Sequence, residues 1–183
     1  QLCIRHRRDL VCKTSALACQ IREHLDAALP GYAAGFDKLW DSNVAFRLVR
    51  QFGSAQAMLE QGLTGLDRSL RQEQVRFQRR TLDSVLVWAQ SAAAGDQAAE
   101  LHRHIALAYE DDRRHKTQQI LALERDIAHR LVQTPYILLL SFPGINVVSA
   151  ADFAGEMGPI ENYVTPRAIT GRAGLFPARY QSD

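Results

Sequence analysis

Residues 138–182 read LLLSFPGINVVSAADFAGEMGPIENYVTPRAITGRAGLFPARYQS. Most of the chain before them has helical periodicity; this stretch adds turn chemistry. An apolar run, Ile137 to Leu140, closes one short helix, and Phe142-Pro143-Gly144-Ile145-Asn146 makes a tight turn. A second helix then begins near Val147, with Ala150 small enough to let two helices approach. The pattern fits a helix-hairpin-helix. Gly144 permits φ > 0 and lets the backbone come near a ligand. Asn146 stands where this hairpin most often has a second Gly, and Asn tolerates the left-handed region. The consequence is a set of outward-facing N–H groups at a helix N-terminus, which bind anions through unpaired donors and the helix dipole. On nucleic acid that anion is a backbone phosphate, contacted without reading sequence. Pro143, Gly144, Ile145 and Asn146 are therefore candidate nucleic-acid contacts. The competing reading is an ordinary corner punctuated by Pro-Gly.

Further along come Gly155-Glu156-Met157-Gly158, Asn162-Tyr163 and Pro166-Arg167-Ala168. The stretch closes with Arg172 to Pro177 and Arg179-Tyr180-Gln181-Ser182. This order resembles the C-terminal transposase domain of the one-hundred-ten family of bacterial insertion sequences. There a Pro-Gly-Ile hairpin is followed by an Ala-Gly-Leu-x-Pro element and then a Ser-Gly pair. The counterparts are Pro143-Gly144-Ile145, Ala173 to Pro177, and Ser182; Asp183 stands where the family has the Gly.

The resemblance implies a DNA recombinase. Similar proteins carry an N-terminal RNase-H-like domain with four acidic metal ligands, a helical coiled-coil segment, and then this domain. They use the serine to attack a DNA phosphodiester, with partners chosen by a structured guide RNA. By that likeness Ser182 is the candidate nucleophile. A serine hydroxyl is weak unless a neighbour takes its proton or a metal polarises the phosphate. Arg172 and Arg179 suit charge developing on phosphate oxygens, because a guanidinium matches them bidentately; Arg167 joins them as a candidate nucleic-acid contact. Read without the resemblance, Ser182 is a solvent-exposed serine in a fraying terminus.

Outside this stretch the sequence bounds the answer more loosely. The chain has 183 residues, 46% hydrophobic and 23% charged, with a net charge of +2. That sum is too small to announce a nucleic-acid partner. Lysines occur only at Lys13, Lys38 and Lys116, and every other basic position is Arg, a preference that suits phosphate contacts. Arg5 to Arg8 interrupt any signal peptide, and the apolar run Tyr136 to Phe142 is far too short to span a membrane. Cys3, Cys12 and Cys19 fit neither a zinc pattern nor a disulfide framework. Cys12 and Cys19 share a helical face and read as small buried positions. A reducing cytoplasm follows, with nucleoid association expected of a bacterial recombinase. The helical pattern already runs at Gln1, so the chain is expected to be a piece of a longer protein, its RNase-H-like part upstream.

Residues 1–29 predict a long amphipathic helix through Leu10, Leu17, Ile21, Leu25 and Ala28, with Arg5, Arg7, Arg8, Lys13 and Arg22 on its other faces. Pro30-Gly31 stops it. Residues 35–52 repeat the period through Phe36, Leu39, Trp40, Val44, Leu48 and Val49. Gly53 ends that helix, Ser54 starts a short one over Ala55 to Gln61, and Gly62 ends it. Another short helix follows over Gly65 to about Gln74, then one over Thr81 to Ala94, before Gly95-Asp96. From Gln97 to about Gln133 a stripe of Leu101, Ile105, Ala108, Ile120, Leu123, Ile127 and Leu131 predicts one long helix. It must pair with residues 1–29, with another chain, or with both. Glu110-Asp111-Asp112 reads as a solvated face paired with neighbouring arginines. His102 and His104 point to different faces, which argues against a metal pair. Glu156 and Glu161 read as surface carboxylates at helix ends, or as help for a divalent ion at the joint with the upstream domain.

The expected fold is all-α: long coiled-coil-forming helices with a small helical subdomain over residues 1–134, then a helix-hairpin-helix domain over 135–183, incomplete at its C-terminus. The expected partners are DNA, a structured guide RNA, and a second copy through the long helices, with no membrane. No metal ligands and no cofactor are expected within the chain; Mg is expected in the upstream domain. The expected function is the DNA-binding and serine-nucleophile part of an insertion-sequence transposase, inactive on its own. Two other classes stand beside it: a non-catalytic helix-hairpin-helix module of a repair or recombination accessory protein, and a structural coiled-coil protein.

Overall fold

A computed structural model describes residues 1–172 and 174. Every regular element among them is helical, as the all-α reading requires. They form two compact units: residues 1–12 with the described residues from 117 onward, and residues 13–116.

Helix α1 spans Leu2–Ala28. Its periodic residues Leu10, Leu17, Ile21, Leu25 and Ala28 are all buried, so spacing alone located the core-facing stripe. The helix stops at Pro30-Gly31. Gly31 takes φ 75, and its N–H donates to Asp26 Oδ1 at 3.0 Å. Cys12 and Cys19 do share a face, but it is the opposite one, and both are exposed. The expectation that they are buried is corrected: each lies about half a turn from the leucine stripe.

The unit of residues 13–116 is built around Tyr32, Leu48, Met58, Leu66, Leu70 and Leu82, all buried to 1% exposure or less. Residues 35–52 do not form one helix. Short 3-10 turns at Tyr32–Gly35 and Leu39–Asp41 precede α2, Ala45–Phe52. Ser42 Oγ accepts from the amides of Val44 and Ala45, both at 3.2 Å. That local bonding starts the helix late, since a serine hydroxyl competes with helical pairing upstream of it. Gly53, at φ 70, ends α2 as predicted.

Helix α3, Ala55–Gln72, is two helices joined at a kink at Gly62, whose φ of 60 and ψ of −176 are not helical. Ser54 caps the first, accepting from Ala57 N–H at 3.1 Å. Helix α4, Arg79–Ser91, packs against α3 and buries Leu82, Val85 and Ala89.

Helix α5 runs Ala99–Leu131 without a break. Its predicted stripe is only half right. Ile127 and Leu131 are buried, but Leu101 is 60% exposed and Ala108 is also exposed. The face that enters the core of residues 13–116 carries Ala106, Leu107 and Glu110. Glu110 is 1% exposed and accepts from Arg113 at 2.6 and 3.0 Å and from Arg114. The solvated-face reading is therefore wrong for Glu110. It holds for its neighbours, Asp111 pairing with Arg50 and Asp112 with Lys116. Arg113 also lies over the Trp40 ring, 4.8 Å from its centroid, and Arg22 lies 5.7 Å from the same ring. The buried carboxylate is compensated by two guanidiniums, without which its desolvation would be prohibitive.

Within residues 1–12 and 117–183 a separate apolar cluster gathers Ile4, Ile127, Leu131, Tyr136, Ala150, Ala151 and Met157. Arg7 pairs with Glu124 at 2.6 Å, so the first turns of α1 lie beside α5 here. In the other unit His24 meets His102, Nδ1 to Nδ1 at 2.7 Å, bringing the same two helices together. Both contacts bring residues 1–29 beside the long helix, one of the pairings expected of it.

Candidate nucleic-acid interface

The C-terminal turn is set by three local devices. Pro135–Ser141 forms a 3-10 helix rather than an α-helix. Phe142 to Ile145 then forms a type II turn. Pro143 supplies the fixed φ of its second position and Gly144, at φ 88, the left-handed third. The Ile145 amide closes it on the Phe142 carbonyl at 3.2 Å. Helix α6, Val147–Met157, begins immediately after.

Asn146 behaves differently from expectation. Its backbone is extended, at φ −101 and ψ 174, and its side chain caps α6. Asn146 Oδ1 accepts from the Ser149 amide at 2.9 Å and from the Ser149 hydroxyl at 3.2 Å. One left-handed residue suffices for a type II turn, so the next position is free to serve as N-cap. The cap occupies one of the first-turn donors. The amides of Val147 and Val148 have no partner among the described residues.

Two tyrosines hold the far end of α6. Tyr136 is 7% exposed and its hydroxyl donates to the Gly158 carbonyl at 2.8 Å; Tyr163 donates to the Met157 carbonyl. These acceptors belong to the last turn and have no helical donor left. Burial pushes the Tyr136 phenol up, with Tyr163 and Glu161 adding to the effect. Ala150 is completely buried, which fits its expected place at a close approach. The turn itself faces outward: Pro143 and Gly144 are exposed, Phe142 is 59% exposed, and a Cβ built on Gly144 would meet nothing within 4 Å. Pro143, Gly144, Ile145 and Asn146 thus form one open corner backed by the apolar cluster.

Residues 136–183 match the model of the transposase IS116/IS110/IS902 family. The match begins at the buried Tyr136 that anchors α6 and covers every C-terminal motif on which the resemblance rests. It leaves residues 1–135 unmatched. No curated protein and no solved structure matches the chain. The transposase-family match supports a role in DNA transposition.

The remaining candidates of the transposase-like segment are placed less completely. Arg167 and Arg172 lie exposed in the first and last turns of α7, Pro166–Arg172. No contact brings either onto the Gly144 turn among the described residues. Arg179 and Ser182 lie outside the described residues, as do Ala173 and Leu175 to Pro177 of the Ala-Gly-Leu-x-Pro element. Glu156 and Glu161 are exposed. Among the described residues no group of three or more His, Cys, Asp or Glu side chains is placed to hold a metal ion. Among the described residues no helix is long and apolar enough to cross a membrane.

Proposed function

We propose that the chain supplies the DNA-binding and serine-nucleophile part of an insertion-sequence transposase, an RNA-guided DNA recombinase. The observation that carries this reading is the family match over residues 136–183, which begins at the residue anchoring an outward Pro-Gly corner and includes Ser182. The corner has the features of a helix-hairpin-helix contact: a left-handed Gly, a capped helix start, and open space for a phosphate. In this role Pro143 to Asn146 seat a DNA phosphate, and Arg167, Arg172 and Arg179 offset charge on neighbouring oxygens.

The chemistry assigned to Ser182 is a displacement at phosphorus. Its Oγ loses a proton to a nearby base and forms an Oγ–P bond with one DNA phosphate. The bond from that phosphorus to one deoxyribose oxygen breaks, and that oxygen takes up a proton. The strand end stays attached to the protein until a second strand's hydroxyl reverses the exchange. The carboxylates for a divalent ion belong, by the likeness, to an RNase-H-like domain, which is why residues 1–183 alone are expected not to join DNA.

The test uses the transposon gene in cells carrying donor and target plasmids. Ser182→Ala should abolish joined products, while purified residues 1–183 with that change should bind DNA as the unaltered chain does. Joined products from Ser182→Ala would remove the nucleophile assignment, and recombination by unaided residues 1–183 would remove the need for a further domain.

A further inference from the structure

We propose that the groove between the end of α3 and the start of α4 binds the sugar-phosphate backbone of a nucleic acid, as a second contact outside the family-matched segment. Residues 67–80, DRSLRQEQVRFQRR, hold five arginines against Asp67 and Glu73. That is three positive charges in excess, when the whole chain carries +2. The rest of the chain sums to a slight negative charge; in its other basic run, Arg5 to Arg22, Arg7 and Arg8 are paired with Glu124 and Asp152.

Nearby acids do not cancel this charge. Glu73 is taken by Arg47, which lies outside the segment. Asp67 is taken by Arg71, through Nε at 2.6 Å and Nη2 at 3.2 Å. The Arg71 hydrogen bond, with the charges of Arg71 and Arg79 behind it, holds the Asp67 carboxyl below its usual range. Arg79 is therefore close enough to be felt at the same groove. Arg76 and Arg79, which line the groove, are exposed and have no ion-pair partner among the described residues; Arg68 and Arg80 are exposed outside its lining, Arg80 in a neighbouring groove with Asp37 and Asp41. Asp83, one turn along α4, pairs with none of them.

The shape suits a polymer backbone. A groove of about 700 Å³ is lined by Asp67, Arg71, Val75, Arg76, Phe77 and Arg79, among others. Phe77 is half-buried, with the Arg71 guanidinium 5.8 Å from its ring centroid. Arginines around an apolar floor give phosphates bidentate donors and give a base a surface to lie on. The connecting loop is also held in place. Gln74, at φ 57, closes α3: its amide donates to the Arg71 carbonyl and the Val75 amide to the Leu70 carbonyl, both at 3.0 Å. This is the Schellman pairing of a helix C-terminus. It packs Val75 against the core cluster and fixes where Arg76 and Phe77 emerge.

The experiment titrates residues 1–183 against labelled 20-nucleotide probes: single-stranded RNA, single-stranded DNA and duplex DNA. The chain with Arg71, Arg76 and Arg79 all changed to Gln should bind at least tenfold more weakly to one or more probes at low salt. The slope of log affinity against log salt should shrink by about two to three, one step per lost phosphate contact. The probe that loses most identifies the natural strand type. Changing the same three to Lys should restore the salt slope without full affinity. A Pro143 and Gly144 variant should leave the arginine-dependent share of binding in place, so failure of this contact is separable from failure of the C-terminal corner. Unchanged affinity in the glutamine variant, with an unchanged thermal midpoint, overturns the proposal. So does displacement of every probe by polyglutamate at the concentration of charge at which heparin displaces it, which points to an acidic protein instead.

Discussion

At the level of single residues, three positions carry measurable consequences. Asn146 is an N-cap, and Asn146→Ala should cost about 1 kcal/mol of stability, while Asn146→Asp should cost nothing measurable. Urea denaturation of both variants checks this; equal losses would mean that the side-chain bond to Ser149 contributes little. Glu110 is the only carboxylate among the described residues that is buried, and Arg113 is 11% exposed beside it. Glu110→Ala removes the buried carboxylate that Arg113 and Arg114 share and should cost about 3 kcal/mol. A loss below about 1 kcal/mol would show the pair to be screened like a surface ion pair.

Tyr32 gives a pH dependence of definite sign. It is 1% exposed, its hydroxyl donates to the Ala45 carbonyl at 2.8 Å, and burial pushes its ionisation far up. A group whose folded pKa is raised keeps its full contribution below the unfolded pKa, near pH 10, and loses it as pH climbs beyond. The urea midpoint should therefore hold up to about pH 9 and fall steeply by about pH 11. Tyr32→Phe should cost about 1 kcal/mol at neutral pH and show a shallower alkaline fall. Parallel alkaline profiles for the two proteins would contradict this assignment; Tyr136, raised in the same direction, supplies the remaining slope.

At the level of elements, the chain shows which helix ends are written locally and which are imposed. Ser54, Gly53 and Gly62 stand where their side chain or freedom at φ > 0 is used, and each was legible from residue type. Gln74 was not, because nothing in its type announces the left-handed region that it occupies. Holding a non-Gly residue there costs on the order of 1 kcal/mol. Gln74→Gly should raise stability by up to about 1 kcal/mol, read as a higher thermal midpoint. A lower midpoint would mean that the added freedom of the unfolded chain outweighs the relieved strain. Residues 35–44 mislead for the same reason in reverse. Phe36, Leu39, Trp40 and Val44 have helical spacing, yet Ser42 and the short 3-10 turns place Leu39 and Val44 in the core without a continuous helix.

At the level of the molecule, composition concealed the charge distribution. A net +2 spread over 183 residues suggests indifference to nucleic acid. The sum hides local basic runs, among them the groove lined by Arg71, Arg76 and Arg79. The transposase-like segment was legible because its devices are local: Pro143 and Gly144 make their turn from neighbouring atoms alone, and the motif order survives without knowledge of the fold. Helix existence was legible likewise, since α1 and α5 follow from period and the absence of breakers. What the sequence could not supply was which face of α5 turns inward, whether Cys12 meets core or solvent, and that Glu110 lies under Arg113. Those choices depend on which helices pack together, and a 3.6-residue period offers more than one apolar stripe on a helix of this length. Tertiary packing selects among the stripes by total burial, and carries Glu110 inside because Arg113, Arg114 and the Trp40 ring arrive there with it.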